Sequence, residues 1–308
     1  MIWANLLHLS FNMWEDRIEP RDEYTIVRGY RPYLQFEDDL WDEILRKMAD
    51  VGMNMVVIDL GDGVKYTSHP EIAVENAWSV GRLKSELGKI RDLGLEAIPK
   101  LNFATTHDAW LGEYSRCVST PRYYAVCKDL IAEVIDLFGR PRFFHIGMDE
   151  ETTGHQQYFQ YLLVRQYELY WHDFHFYCDE VAGGGSRPWI WSDKIWRHPE
   201  EFLKEVRTSL LQSNWYYGTA FEEAPEDERR YVLAYGELEK HGYEQIPTAS
   251  NHSSAENFDL TVRYCTPRID TSRLLGFMQT PWRPTIGQFR ERHMEAIEQV
   301  GAVIRSRM

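Results

Sequence analysis

The sequence predicts an α/β protein, a (β/α)8 TIM barrel that occupies residues 1–308 as a single catalytic domain, and three observations predict it. Short apolar runs alternate along the whole chain with longer stretches of helical period, the pattern of repeated βα units around a parallel sheet. Eight such runs can be found, and eight is the number that closes a ring. The length of 308 residues is one that such barrels commonly reach as one unit, and no linker or internal repeat divides it.

The expected strands are residues Asn5–Phe11, Asn54–Leu60, Glu96–Asn102, Arg142–Gly147, Trp189–Trp191, Ser209–Trp215, Gln245–Ser250 and Leu275–Gln279. After the first of these, Leu40, Trp41, Ile44, Leu45 and Met48 fall on one helical face that ends near Gly52. A later helix opens on Thr120 as N-cap with Pro121 in its first turn. It then repeats Tyr123, Cys127, Leu130, Val134 and Phe138 along one face and stops at Gly139. A long aromatic helix is expected from just after Glu151 to Val181, and residues Gly287–Arg307 supply the last one. The acidic stretch Glu222–Arg230 reads as a solvated loop and helix start.

Composition bounds the function. A hydrophobic fraction of 44% suits a protein with a sizeable core. An aromatic fraction of 14%, with 11 Trp and 18 Tyr, supplies flat faces of the kind that stack on sugars, although cores also use them. A net charge of -14 with no Lys/Arg-rich run argues against a nucleic-acid partner. Cys117, Cys127, Cys178 and Cys265 are scattered with no zinc-ligand spacing and read as buried thiols. The opening Met1-Ile-Trp-Ala-Asn-Leu-Leu-His-Leu carries neither an export leader nor a membrane span, so a cytoplasmic protein without a membrane partner is expected.

In parallel barrels the site lies where strands end and loops begin. Those edges carry Ser10, Asn12, Asp59 and Asn102 in the first half of the chain. Asp149, Glu150, Asp193, Asn214, Asn251 and Gln279 follow in the second. The run Phe143-Phe-His145-Ile-Gly147-Met-Asp149-Glu150-Glu151 passes from an apolar strand into three consecutive acids. Repulsion between adjacent carboxylates raises the pKa of one of them, which is what a general acid needs, and Glu150 is the candidate. Three acids in a row also suit a helix N-terminus, where the dipole favours negative charge, and that is the reading preferred for Glu151.

The segment His145-x-Gly147-x-Asp149-Glu150 resembles the H-x-G-G-D-E signature of the β-N-acetylhexosaminidases of glycoside hydrolase family 20, with Met148 in place of the second glycine. Trp189-Ile-Trp191-Ser-Asp193 resembles that family's W-x-D strand, Asn214-Trp215-Tyr216 its tyrosine-bearing strand, and Thr280-Pro-Trp282 its final tryptophan. The resemblance implies that Glu150 protonates the glycosidic oxygen while Asp149 orients and charge-stabilises the substrate's own 2-acetamido group as it attacks the anomeric carbon. No enzyme nucleophile and no cofactor are then needed. It further implies a sugar pocket walled by Trp191, Trp215 and Trp282, with Tyr216 donating to the acetamido oxygen and a carbohydrate as partner. Asp193, Asn102 and Gln279 are candidate binding residues at the rim. His107 stands where the family has a loop histidine, and His145 is expected to brace the acids.

The chain also differs from the family. Its first strand ends in Ser10-Phe-Asn12-Met13-Trp14 without the sugar-gripping arginine, Gly218 replaces an aspartate, and Arg283-Pro284 follows the final tryptophan where the family has an acid. These changes imply an altered sugar specificity. Two other functions fit the residues: a metal-dependent barrel isomerase or hydrolase using Asp59, Asp149, Glu150, His107 and His145, and a non-catalytic carbohydrate-binding barrel.

Overall fold

Inward and outward side chains alternate along eight parallel strands, and this alternation decides which residues reach the site. The computed structural model describes residues 1–18 and 25–307. Its strands are β1 (Ile2–His8), β2 (Met55–Asp59), β3 (Glu96–Lys100), β4 (Phe143–His145), β5 (Arg187–Trp191), β6 (Leu211–Ser213), β7 (Thr248–Ala249) and β8 (Gly276–Gln279). They run in the order β6-β5-β4-β3-β2-β1-β8-β7, all parallel. Isolated bridges between Gln212 and Gln245 and between Trp215 and Thr248 join the two edges, so the sheet closes on itself as a TIM barrel.

A helix follows each strand: α1 (Asp38–Asp50), α2 (Val80–Asp92), α3 (Pro121–Leu137), α4 (Tyr167–Gly183), α5 (Pro199–Glu205), α6 (Arg229–Lys240), α7 (Asn257–Cys265) and α8 (Arg290–Ser306). The expected N-cap of α3 is present, with the Thr120 hydroxyl accepting from the Tyr123 amide at 3.3 Å. The four cysteines are free thiols. Among the described residues no helix is long and apolar enough to cross a membrane.

Strand boundaries moved for local reasons. β1 begins three residues earlier than expected because Ile2 pairs with Gly276, where a Cβ would come within 2.1 Å of the Ile2 carbonyl oxygen. β4 stops at His145 because the next residues leave extended conformation, with φ of 72° at Gly147, 76° at Met148 and 54° at Glu150. A two-residue parallel pair, Val64–Lys65 with Trp78–Ser79, decorates the loop after β2 and was not foreseen.

Two cores result. Ala4, Leu6, Met55, Val57, Ile98 and Met278 fill the ring itself, while a larger apolar layer lies between strands and helices. Above the inner apolar layer sits a charged one: Lys100 is ion-paired to Asp59, and His8 Nδ1 lies 3.5 Å from the same carboxylate. Alternation turns Gln279 outward, where its amide donates to Gln299 Oε1 at 2.8 Å. The expectation that Gln279 binds substrate is therefore corrected: its neighbour Met278 is the inward residue.

The aromatic helix does not begin after Glu151. Residues 151–166 form a loop and α4 starts only at Tyr167, because Glu151 is drawn down onto Arg165 rather than left at a helix end. The Arg165 guanidinium grips Glu151 through Nε (2.9 Å) and Nη2 (2.6 Å), Asp173 of α4 through Nη1 (3.0 Å), and the Phe103 carbonyl through Nη2 (2.7 Å). Arg165 is 2% exposed and Asp173 fully buried, so this fork-like pairing ties the β3 loop, the β4 loop and α4 into one block beneath Glu150. Replacing Arg165 by Met leaves two buried carboxylates without their cation. Chemical denaturation is expected to show a loss of about 3–5 kcal/mol; a change below about 1 kcal/mol would mean the network carries no structural load.

Candidate active site

The sharp backbone after β4 aims the two acids. Gly147 combines a positive φ with close approach: a Cβ there would lie 2.0 Å from Asn102 Oδ1. Asn102 Oδ1 accepts from the amides of Ala104 and Met148, and its Nδ2 donates to Asp149 Oδ1 at 2.7 Å. Asn102 thus holds Asp149 from below rather than facing the open cavity. Met148 and Glu150 keep left-handed backbone without being glycine, a strain that packing must hold.

His107 joins the acids. Its Nε2 lies 3.2 Å from Asp149 Oδ2 and 3.3 Å from Glu150 Oε2, with the histidine 1% exposed. Burial opposes its charge, but the two carboxylates outweigh it and push the imidazole up to about 10, so a cation sits between two anions. On the other side of Glu150, His155 Nε2 stands 3.3 Å from Oε1. Burial would raise the Glu150 carboxyl; the hydrogen bonds and charges of His107 and His155 overcome it and hold the group below the usual carboxylate range.

That outcome corrects the expectation of a raised Glu150. The elevated carboxyl is Asp193, pushed up to about 8 by burial and by the charge of Asp149. Its Oδ2 accepts from the Glu150 amide at 2.9 Å, and its Oδ1 is enclosed without a partner.

A cavity of about 160 Å3 opens over the acids. Trp191, Trp215 and Trp282 line it as expected, with Trp14, Tyr217 and Phe11 completing an aromatic wall. Trp14 sits edge-on to His107 at 4.6 Å and to Trp282 at 5.7 Å. Arg28, His252 and Arg283 complete the rim.

Two further expectations are corrected. Tyr216 does not reach the cavity: it points outward and its hydroxyl donates to Glu228 at 3.0 Å. Tyr217 takes the place, stacking on Trp215 at 4.9 Å and accepting from Trp282 Nε1 at 3.0 Å. The alternation of β6 carries on past its last residue through the Trp215–Thr248 bridge, so that Trp215 and Tyr217 line the cavity and Tyr216 turns to the other side. His145 does not brace the acids either. Its Nδ1 accepts from the Gly147 amide at 3.0 Å and its ring supports Trp191 at 4.6 Å, while burial and Lys100 keep it neutral.

Of the five ligands of the metal reading, His107, Asp149 and Glu150 place donor atoms within 4.8 Å of one another, the one such group among the described residues. Asp59 is committed to Lys100 and His145 to Gly147. His155, Trp14 and Tyr217 went unnoticed in the sequence. The alternation Trp215-x-Tyr217 is a signal that would have found the last, whereas the first two depend on loop packing.

No family model and no curated protein matches the sequence. Solved structures do match by shape. The β-N-acetylhexosaminidase of Bacteroides fragilis superposes with TM-score 0.65 at 14% identity, covering 97% of this chain and 65% of that one. The β-hexosaminidase of Streptomyces plicatus, in complex with the product GlcNAc, gives 0.64 at 13% identity, with 97% and 63% covered. Dispersin B gives 0.60 at 13% identity, with 98% and 99% covered. The chain spans less than two thirds of the first two proteins and almost the whole of the third. It has the barrel fold of the glycoside hydrolase family 20 β-N-acetylhexosaminidases, in a divergent sequence.

Proposed function

We propose that this protein is a glycosidase that cleaves a terminal 2-acetamido sugar from its leaving group, using Glu150 as general acid and Asp149 to assist the substrate's acetamido group. The observation that carries the reading is that both acids share one imidazolium, His107, at the loop end of the barrel beneath a cavity walled by tryptophans.

The chemistry follows from the charges. In the unliganded site the mobile proton rests on His107 Nε2, 3.3 Å from Glu150 Oε2. Passing it to Glu150 gives a neutral acid beside the glycosidic oxygen. As that oxygen takes the proton, the bond to the anomeric carbon breaks and the acetamido carbonyl oxygen bonds to the same carbon. The positive charge that develops on the acetamido group is met by Asp149, which Asn102 and His107 hold in place. Water then attacks the anomeric carbon, its proton passes to Glu150 and from there back to His107, and the acetamido group is released. The aromatic wall excludes bulk water and packs against the apolar face of the ring. Tyr217, which lines the cavity where Tyr216 does not, is the residue proposed to donate to the acetamido oxygen.

Glu150→Gln is expected to lower kcat on an aryl 2-acetamido-β-glycoside by ~10²–10⁴ with sugar binding retained; unchanged turnover would remove Glu150 as the acid. Asp149→Asn is expected to cost ~10²–10³ on 2-acetamido substrates but far less on their 2-hydroxy counterparts, and equal losses would remove the assisted pathway. Asp193 sits at about 8, so it is neutral at pH 6 and becomes a third negative charge as pH rises. Asp193→Asn mimics the neutral form. Its pH profile of kcat/KM is expected to match wild type at pH 6 and to lack the decline above about 8; an inactive variant at pH 6 would show that the carboxylate itself is required.

A further inference from the structure

A second cavity of about 240 Å3 adjoins the first and shares Glu150 and Trp215 with it. It lies beyond the proton donor, on the side that His155 faces. A third of about 270 Å3 continues from it, sharing Glu151, Tyr170, Lys194 and His198. The three cavities are thus neighbours along one side of the barrel mouth, and on the proposed glycosidase reading the second and third form the groove that receives the leaving group.

The groove has an aromatic wall and unpaired cations. Trp196 is fixed by donation from Nε1 to Asn214 Oδ1 at 2.7 Å and packs on Trp215 at 4.5 Å and Tyr231 at 4.1 Å. Many basic groups of this acidic chain are matched to carboxylates, as in Arg142 with Glu96, Arg187 with Glu244 and Arg273 with Glu239. Lys194 instead places its ammonium 3.9 Å above the Tyr170 ring, and Arg197 makes no ion pair or side-chain hydrogen bond among the described residues. Of the acids that line these cavities, Glu151 is neutralised by Arg165, Glu150 lies between two histidines, Asp193 is pushed up to about 8, and Glu201 at the far end accepts from Trp171 Nε1 at 3.4 Å. Lys194 and Arg197 thus offer an anion two positive contacts on a molecule whose charge of -14 would otherwise repel it.

We propose that this groove binds the leaving-group portion of an acidic oligosaccharide, its ring stacked on Trp196 and its carboxylate or sulfate met by Lys194 and Arg197. The inference rests on the glycosidase reading and adds the substrate class to it.

The test uses three disaccharides with the same terminal β-N-acetylglucosamine, joined to glucuronic acid, to a sulfated glucose, or to glucose. Wild-type kcat/KM is expected to favour at least one acidic disaccharide over the neutral one by about tenfold or more, equivalent to ~1.4 kcal/mol, mainly through KM and less at high salt. In the double variant Lys194→Gln, Arg197→Gln that ratio is expected to fall to about twofold or less, equivalent to ~0.4 kcal/mol. The preferred acid identifies carboxylate or sulfate as the group recognised. A wild-type ratio near one, or a ratio that survives in the double variant, overturns the inference. If aryl 2-acetamido-glycosides are cleaved and the ratio is one, the groove alone is misassigned. If no glycoside is cleaved, the catalytic reading fails, and calorimetric binding of the same disaccharides to Glu150→Gln decides the groove. Tighter binding of an acidic disaccharide supports it and equal binding rejects it.

Discussion

One buried imidazolium holds the site together. Asp149 and Glu150 are consecutive, lie at the rim of a closed sheet and are largely removed from water, an arrangement in which two adjacent carboxylates repel each other and one would take up a proton. His107 resolves the conflict by placing a single cation 3.2 Å from one and 3.3 Å from the other. Glu150 is thereby held below the usual carboxylate range, and in the proposed mechanism its proton comes from His107, whose Nε2 lies 3.3 Å away. Without His107 the pair would have no common counter-charge, and the strained backbone that presents them would hold a repulsive geometry.

Everything around the cluster serves to keep that arrangement fixed. Gly147 lets Asn102 come close enough to hold Asp149, and Met148 and Glu150 remain in left-handed conformations that cost about 1–3 kcal/mol each. The Arg165 block below and the Trp14, Trp191 and Trp282 rings above restrain the same few residues from opposite sides. Farther down, the Lys100–Asp59 pair separates this polar layer from the apolar barrel interior. The acids are enclosed on the barrel side, whereas on the loop side the exposed His155 stands 3.3 Å from Glu150.

The barrel was legible because its signals are local and repeated: alternating apolar runs, the Thr120-Pro121 helix start, and a strand that ends in Gly147-Met-Asp149-Glu150. Those signals placed Asp149, Glu150, Trp191, Trp215 and Trp282 around one cavity. What failed was set by tertiary contact or by parity. Glu151 seemed to be a helix start because its partner Arg165 lies fourteen residues on, across a loop with no periodic pattern. The resemblance points to Tyr216, and only the side of the chain each residue takes separates it from Tyr217, which lines the cavity. Glu150 was expected to be the elevated acid because sequence adjacency reveals the neighbouring carboxylate and conceals the two histidines. Asp193, from the next strand, took that role through burial against the pair.

The most direct measurement is the protonation state of His107, read from its ring nitrogens by nitrogen-15 NMR across a pH titration of the unliganded protein. Both nitrogens are expected to stay protonated at pH 8, with titration only toward about 10, and to shift toward ordinary values when Asp149 and Glu150 are both made neutral. A wild-type His107 that loses its proton near the usual histidine range would contradict the shared-cation site on which the proposed chemistry depends.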